Sequence, residues 1–442
     1  MTLSIKKRIK RLNKSTCESD KRIDFTRSLF SKELVLKVFG FLSSSDLVQC
    51  AAVNYRWFQI ANDELLWKPL FIKTFSTHEK PTAIRYGGSW KTKYRIHHNW
   101  LLGNYNINDV VQRPDDSTPH HIQFLHDVLF ISQRHTIDIW QYRKERSSRI
   151  SQLNASTSQV CYLKLVDHQP TVRFLIASYA DGQLCIWQIN GLSSADLAIT
   201  HQLSHMAHPA VSLDMHYPLL AIYTVQKTLV VYRLDGPELV EIACLQSPMD
   251  WSPVIMDIQP MRSPGRWQVV LCFGSSSSHS GPSSVGIQEM IFSDSRLLSS
   301  RQGMYTYPMS LSCASLDQIT SMVYAAPYLI TAHPNNTMKQ YRITNRGRHL
   351  DISFQQTLYG HTCRVDALAI AKQKLISGDR SGIKIWDLAR QQQVMTLNIY
   401  PDQSSMNELP ESSIRTLGFD EDKIVAVVND NNNAFVRLWS FN

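Results

Sequence analysis

A short β run ending in an aromatic residue recurs along this chain, and that recurrence limits the fold more than any other feature. Its instances are Ile137-Asp138-Ile139-Trp140, Leu184-Cys185-Ile186-Trp187, Leu229-Val230-Val231-Tyr232, Met338-Lys339-Gln340-Tyr341, Ile383-Lys384-Ile385-Trp386 and Val436-Arg437-Leu438-Trp439, with a weaker copy at Ile287-Gln288-Glu289-Met290. The end positions 140, 187, 232, 290, 341, 386 and 439 lie 45 to 58 residues apart. A period near 45 with β alternation is that of one four-stranded propeller blade, so the reading is an all-β, seven-bladed propeller. The longest spacing contains the Ser-, Gly- and Pro-rich run Gly274 to Ser284, read as an inserted flexible loop. A propeller must close its ring, because an unpaired edge strand invites aggregation. The sequence ends just after the third strand of blade seven, so the outer strand is expected from upstream, at about 99–110.

One repeat carries more than periodicity. Gly360-His361 begins it, β runs follow at Val365 to Ala371 and Lys374 to Gly378, and Ile383 to Leu388 ends the set through Trp386-Asp387. This resembles the WD repeat, whose Gly-His and Trp-Asp pairs bracket each blade. The resemblance implies a hydrogen-bonded set inside the blade, with His361, Ser377 and Trp386 as its members here. The expected Asp position, six before Trp386, holds Arg380, with Asp379 one residue earlier. In the repeat ending at Trp187, Asp181 is in register. These residues read as structural, not catalytic.

Upstream, the pattern changes to helices. Ser31 is placed to cap a helix with Leu34, Val38 and Leu42 on one face, and Ser43-Ser44-Ser45 breaks it. Further runs hold Leu47, Cys50, Ala51 and Val53, then Trp57 and Ile60, then Leu65-Leu66-Trp67. The segment resembles the F-box at Glu33-Leu34, Val38, Phe41-Leu42, Asp46-Leu47, Ala51, Val53, Trp57, Ala61-Asn62-Asp63 and Leu66-Trp67. Phe30 stands where the family has Pro. The resemblance implies binding to the Skp-family adaptor of a cullin–RING ubiquitin ligase. The expected contact set is Leu29, Phe30, Leu34, Val38, Leu42, Leu47, Val48 and Trp67. So many apolar residues in about 43 cannot bury themselves alone, which independently suggests a partner surface. Asn99-Trp100-Leu101-Leu102-Gly103-Asn104-Tyr105 is similar to the closing-strand segment of F-box propeller proteins. Trp90 and Tyr94, at i and i+4, head a helix-compatible spacer. The organisation expected is a basic, disordered tail over 1–27, an F-box over 28–72, a helical linker over 73–98 and the propeller over 99–442.

Composition narrows the functional classes. Residues 1–28 carry nine of the 46 Lys and Arg and three of the 37 Asp and Glu, so most of the net charge of +9 lies in the tail. The folded body is near neutral, which speaks against a nucleic-acid surface. Lys6, Lys7, Arg8, Lys10, Arg11 and Lys14 are a candidate nuclear import signal. No apolar run is long enough to cross a bilayer, and the basic start leads into no secretory signal. The eight cysteines form no C-x-x-C pair, so reduced thiols, no metal, and a cytoplasmic or nuclear location are expected.

No G-x-S-x-G, H-E-x-x-H or Gly-rich phosphate loop is present, and no cofactor or enzymatic activity is expected. His97-His98 and His120-His121 are adjacent and, as strands, point oppositely. The function expected is a substrate-recognition adaptor: the F-box binds the Skp-family adaptor and the propeller binds a target protein for ubiquitination. The competing readings are a propeller scaffold without ubiquitin delivery and a propeller enzyme. The recognition face is expected at the residues flanking the first apolar residue of each inner strand. Those pairs are His121 and Gln123, Gln159 and Cys161, Ala210 and Ser212, Pro253 and Ile255, Gln318 and Thr320, Arg364 and Asp366, and Ser413 and Arg415. Arg364, Asp366 and Arg415 are the expected target-binding residues, suited to an anionic, phosphorylated target group.

Overall fold

A computed structural model of the protein describes residues 26, 31–75, 88–114, 119–142, 147–169, 172–189, 208–236, 238–247, 250–275, 283–307, 318–347, 349–399, 412–430 and 433–442. The basic tail, Leu29, Phe30 and most of the expected inserted loop (276–282) lie outside them. The chain divides into two units, Met1–Asn106 with Ser440–Asn442, and Ile107–Trp439.

The first unit is helical: α1 (Lys32–Phe39), α2 (Ser44–Cys50), α3 (Tyr55–Ala61), α4 (Glu64–Phe75) and α5 (Trp90–Leu102). The serine run both ends α1 and starts α2. Ser43 accepts from the Asp46 backbone N–H and Asp46 accepts from Ser43, a reciprocal cap. The buried stripe of α1 is Val35 and Phe39, which join Leu47, Ala51, Ile60, Ala61, Leu66, Trp67 and Phe71 in one core. The segment expected as a linker contributes to that core, because α5 buries Trp90 and Tyr94 in it. Glu64 accepts from the Trp90 backbone N–H at 2.8 Å, so α4 caps α5.

α5 runs further than expected. Trp100, Leu101 and Leu102 are its last turn, not strand, because the apolar spacing begun at Trp90 continues until Gly103. That glycine adopts φ 71°, a left-handed stop that L residues disfavour. His97 and His98 are therefore helical, with the His97 ring 4.9 Å from that of Phe71. In the same unit Phe441 stacks on Trp100 at 3.8 Å and its carbonyl accepts from Asn99 Nδ2 at 2.8 Å.

The second unit is a seven-bladed β-propeller. Six sheets have four strands, and the second blade has three among the described residues. Successive inner strands touch around the ring, and the inner strand of blade seven returns to that of blade one. Every aromatic-ended run of the sequence lies on the third strand of a blade. In blade seven the outer position is filled by strand Asn106–Pro114, hydrogen-bonded to strand Asn433–Ser440. Asp109 accepts from Arg437 Nε and Nη2 at 2.6 and 2.7 Å across that closure.

In blades one, three, five and six the pairing of third and outer strands slips once, just before the aromatic, at Ile139/Trp140, Val231/Tyr232, Gln340/Tyr341 and Ile385/Trp386. Blade four slips at Ile291/Phe292. Its aromatic is thus Phe292, and the copy ending at Met290 is two residues out of register. Identity was hidden because both side chains are buried.

Blade six holds the full polar set. His361 bonds Asp379 at 2.8 Å and Ser377 at 2.6 Å, and Trp386 Nε1 donates to Ser377 at 2.8 Å. The acid is Asp379, one residue before the expected position; its other oxygen accepts from the backbone of Ser381 and Gly382 and shapes the turn. Ser377 lies two residues beyond Leu375, which faces Trp386. The same place is Ile131 in blade one and Ala177 in blade two, with no hydroxyl. Trp140 Nε1 and Trp187 Nε1 are accordingly buried without an acceptor. Asp181 does not join such a set; it accepts from Ser156 Oγ at 2.7 Å and from the Gln183 N–H at 3.0 Å at the edge of the blade.

A stranded buried donor costs about 1–3 kcal/mol, so Ser377→Ala is expected to lower stability by about that amount. Ala177→Ser, which offers Trp187 an acceptor, is expected to raise it by roughly 1 kcal/mol. Denaturant midpoints at constant m-value test both.

Burial opposes ionisation of Asp379, but hydrogen bonds from His361 and Ser381 hold its pKa down to about 2. A depressed acid stabilises the fold above its unfolded pKa, and that contribution disappears as pH falls from about 4 through 2. The stability gap between wild type and Asp379→Asn is expected to be about 2 kcal/mol at neutral pH and to close over that window in urea titrations.

Candidate functional site

The helical unit keeps an apolar row outside its core. Leu34 and Val38 sit one residue before Val35 and Phe39, about 100° round the helix, so burying one pair turns the other to solvent. Both are 49% exposed. In the turn after α1, Phe41 is 85% exposed, and Val48 on α2 is 54% exposed. Val53, Tyr55 and Leu65 are also exposed. So large an apolar surface is suited to covering by a partner.

The expected adaptor contacts divide accordingly. Leu34, Val38 and Val48 are on the surface, and Leu42 is half-buried against the core. Leu47 and Trp67 are buried in the unit's own core and are not surface contacts. Trp67 Nε1 donates to the Ala61 carbonyl at 2.7 Å and its ring meets Tyr94 edge-on, so it binds α3, α4 and α5 together. Phe41 was missing from the expected set. Its place beside a chain-reversing Gly-Phe-Leu-Ser turn was the available signal.

On the propeller, the flanking-pair rule places Gln159, Cys161, Ile255, Arg364, Asp366 and Arg415 at least partly in solvent. Blade three departs from it. Ala210 and Ser212 are buried and Val211 is exposed. A bulge explains this: Thr224 pairs with Ala210 and Tyr223 with Ser212, leaving Val211 out of the ladder. Blades two and seven slip at the same place, ejecting Cys161 and Arg415.

Arg364 Nε lies 3.6 Å from Asp366 Oδ1, a partly exposed pair. Burial raises the Asp366 pKa, and the charges of Arg364 and Arg380 oppose that. Arg380 was absent from the sequence-based set. Asn429, with its amide oxygen turned inward, accepts from Arg415 Nε at 2.5 Å and Nη2 at 3.1 Å.

The remaining charged groups read as structural. Lys164 Nζ meets Asp214 at 2.9 Å, and Asp214 also accepts from the Ile258 N–H at 2.8 Å, which ties inner strands of three successive blades. Burial pushes the Cys185 thiol up to about 12, leaving it unreactive at neutral pH. Among the described residues no cluster of three His, Cys, Asp or Glu side chains is arranged to hold a metal ion. Also among them, no helix is long and apolar enough to cross a membrane.

The core and surface roles separate by mutation. Leu47→Ala and Trp67→Ala are expected to destabilise the helical unit by about 2–5 kcal/mol. Val38→Ser and Val48→Ser should stay within about 0.5 kcal/mol of wild type. Thermal melts of the full chain give the comparison.

Comparison with known proteins agrees with this division. A family model described as F-box-like matches residues 32–73, and one described as the F-box protein pof12 β-propeller matches residues 107–423. The F-box protein dre-1 of Caenorhabditis elegans is 35% identical over 124 residues, 22% of this chain. The chain spans 13% of that relative's length. Among solved structures, the computationally designed Ika8 protein aligns with 75% of this chain and 99% of its own at 14% identity, with a TM-score of 0.47. With helices that match the F-box pattern and a propeller matched over most of its length, the chain belongs to the F-box proteins of the pof12 β-propeller family.

Proposed function

We propose that this chain is the substrate-recognition adaptor of an SCF-type ubiquitin ligase. Its helical unit binds a Skp-family adaptor, and through it a cullin–RING ligase, while the propeller binds a target protein for ubiquitination. The observation that carries the reading is the outward row Leu34, Val38, Phe41 and Val48 on a segment matched as F-box-like. Apolar surface of this kind is stabilised by removal from water, at about 25 cal/mol per Å². Leu29 and Phe30, outside the described residues, extend the proposed contact.

No chemistry is assigned to the chain itself. Rate acceleration in such a complex comes from proximity, the target lysine being held near a ubiquitin-charged enzyme. The target contact is proposed at Arg364, Asp366 and Arg415, where guanidinium groups suit a carboxylate or phosphate. Unpaired thiols at six described cysteines agree with a reducing compartment, cytoplasm or nucleus.

Co-expression with a Skp-family adaptor tests the reading. The wild-type chain should co-elute with it, and Leu34→Asp with Phe41→Asp should bind at least about 100-fold more weakly, since burying an unpaired carboxylate costs several kcal/mol. Both positions are exposed, so the variant should melt as wild type does. Undiminished co-elution of the double variant overturns the proposal.

A further inference from the structure

The near-neutral charge of the body averages over unlike parts. Residues 65–108 carry seven Lys and Arg (Lys68, Lys73, Lys80, Arg85, Lys91, Lys93 and Arg95) against one acid, Glu79. Together with the tail they exceed the whole net charge of +9, so the rest of the chain is net negative. Lys80, Arg85 and Glu79 lie outside the described residues. The other five cations stand on α4 and α5, whose sequences hold one carboxylate, Glu64. Glu64 accepts from the Trp90 N–H at 2.8 Å, and neighbouring Asp63 pairs with Lys32 at 3.2 Å. Both nearby acids are thus already engaged.

The aromatic core sets where these cations point. α5 buries Trp90 and Tyr94, so Lys91 and Arg95, each one residue on, form a row about 100° round the helix. Like charges at i and i+4 repel. Partial burial lowers the Lys91 pKa, and the charge of Arg95 lowers it further. Lys91 and Arg95 donate to neutral amide oxygens, Asn62 Oδ1 and Asn442 Oδ1, which leave their charge uncompensated. Three ammonium groups lie over core rings. Lys68 and Lys93 Nζ are 5.8 and 5.3 Å from the Trp90 ring centroid, and Lys91 Nζ is 5.4 Å from that of Trp67. Such contacts hold the lysines in place. Lys68, Lys73 and Arg95 are exposed.

We infer that this face of α4 and α5 docks an Asp- and Glu-rich segment of a protein other than the Skp-family adaptor. The proposed adaptor contact lies on α1, α2 and the turn between them, and none of the five cations is there. Lys91 and Arg95 stand one turn apart, about 6 Å along the axis. Alternate residues of an extended segment are about 6.6 Å apart, so acids at every second position meet that row. Their carboxylates make charge-assisted hydrogen bonds to ammonium and guanidinium groups. Lysines already held on rings lose less freedom on binding. A nucleic acid fits less well, because Trp67, Phe71 and Trp90 are buried and offer bases no stacking surface. The one link to the proposed function is the exclusion of the adaptor as occupant.

The test uses the full chain, alone and with a Skp-family adaptor, and a fluorescein-labelled twelve-residue peptide alternating Glu and Ser. Fluorescence anisotropy should show binding at about 50 mM salt and weaker binding at about 300 mM, since exposed charges are screened. Lys68→Gln, Lys73→Gln and Arg95→Gln together should weaken it at least about tenfold. Lys6→Gln, Lys7→Gln and Lys10→Gln in the tail should leave it unchanged. Carbodiimide cross-links from the peptide carboxylates should map to Lys68 or Lys73. The α4–α5 variant should melt and co-elute with the adaptor as wild type does. Absence of peptide binding, an equal loss from the tail variant, or cross-links only elsewhere overturn the inference. So does a twelve-base-pair DNA duplex or a phosphatidylserine vesicle held more tightly by the same three cations. Displacement of the peptide by the adaptor, or loss of the adaptor from the α4–α5 variant, assigns the face to the adaptor and also overturns it. A chain that binds the peptide but no adaptor upholds the inference and refutes the ligase reading alone.

Discussion

The propeller depends on one pairing between distant parts of the sequence: strand Asn106–Pro114 completes the sheet that ends with strand Asn433–Ser440. Without it blade seven would present the unpaired edge of a third strand that is otherwise buried. The closure is reinforced electrostatically. Arg437 grips Asp109 with two nitrogens and also donates to the Ile399 carbonyl, just beyond the outer strand of blade six. A contact spanning more than three hundred residues costs loop-closure entropy but only logarithmically, so a single strand can staple a ring this large.

What holds successive blades together is apolar. Clusters such as Leu175, Ala177 and Trp187 of blade two with Phe130, Ile137 and Ile139 of blade one fill the space between sheets. Among the described residues, the hydrogen-bonded His-Ser-Asp-Trp set is added on this core once, in blade six. Blade five has a partial version, with Thr331 and His333 bonded at 2.9 Å and Tyr341 as its aromatic. Blades one and two bury an unsatisfied indole N–H instead, at about 1–3 kcal/mol each. Burial of several full side chains per blade, at about 1.5–3 kcal/mol each, offsets that loss. The polar set therefore sharpens a blade without being required for one, which is why the sequence shows it so unevenly.

The blade count was readable because a third strand buried on both faces must be apolar and end in a large side chain at a fixed place. The F-box segment was readable because residue type and spacing coincide over four helices. Two kinds of detail were not readable. The first is register: Met290 against Phe292, Arg380 against Asp379, and Ala210 with Ser212 against Val211 each differ by one or two residues, and each is decided by a bulge or turn that leaves no mark in composition. The second is which face of an apolar helix is buried. Leu34 and Val35, or Leu47 and Val48, are chemically alike, and only the positions of Phe39, Trp57 and Trp67 decide which member of each pair goes inside.

Both proposed surfaces, for adaptor and for target, consist of residues that the fold does not need. Phe41, Leu34 and Val38 contribute nothing to the helical core, and Val211 and Arg415 are released from their ladders by bulges. A residue that packs or pairs is constrained by its neighbours, so its role can be inferred from periodicity. A residue freed from packing is constrained only by a partner, and a single chain carries no record of that partner. The exposure of large apolar side chains is the exception, because water opposes it and folding alone gives no reason to keep it. That asymmetry is why the helical face points to its class of partner more firmly than the propeller rim does: an exposed phenylalanine needs a reason, whereas an exposed arginine is at home in water.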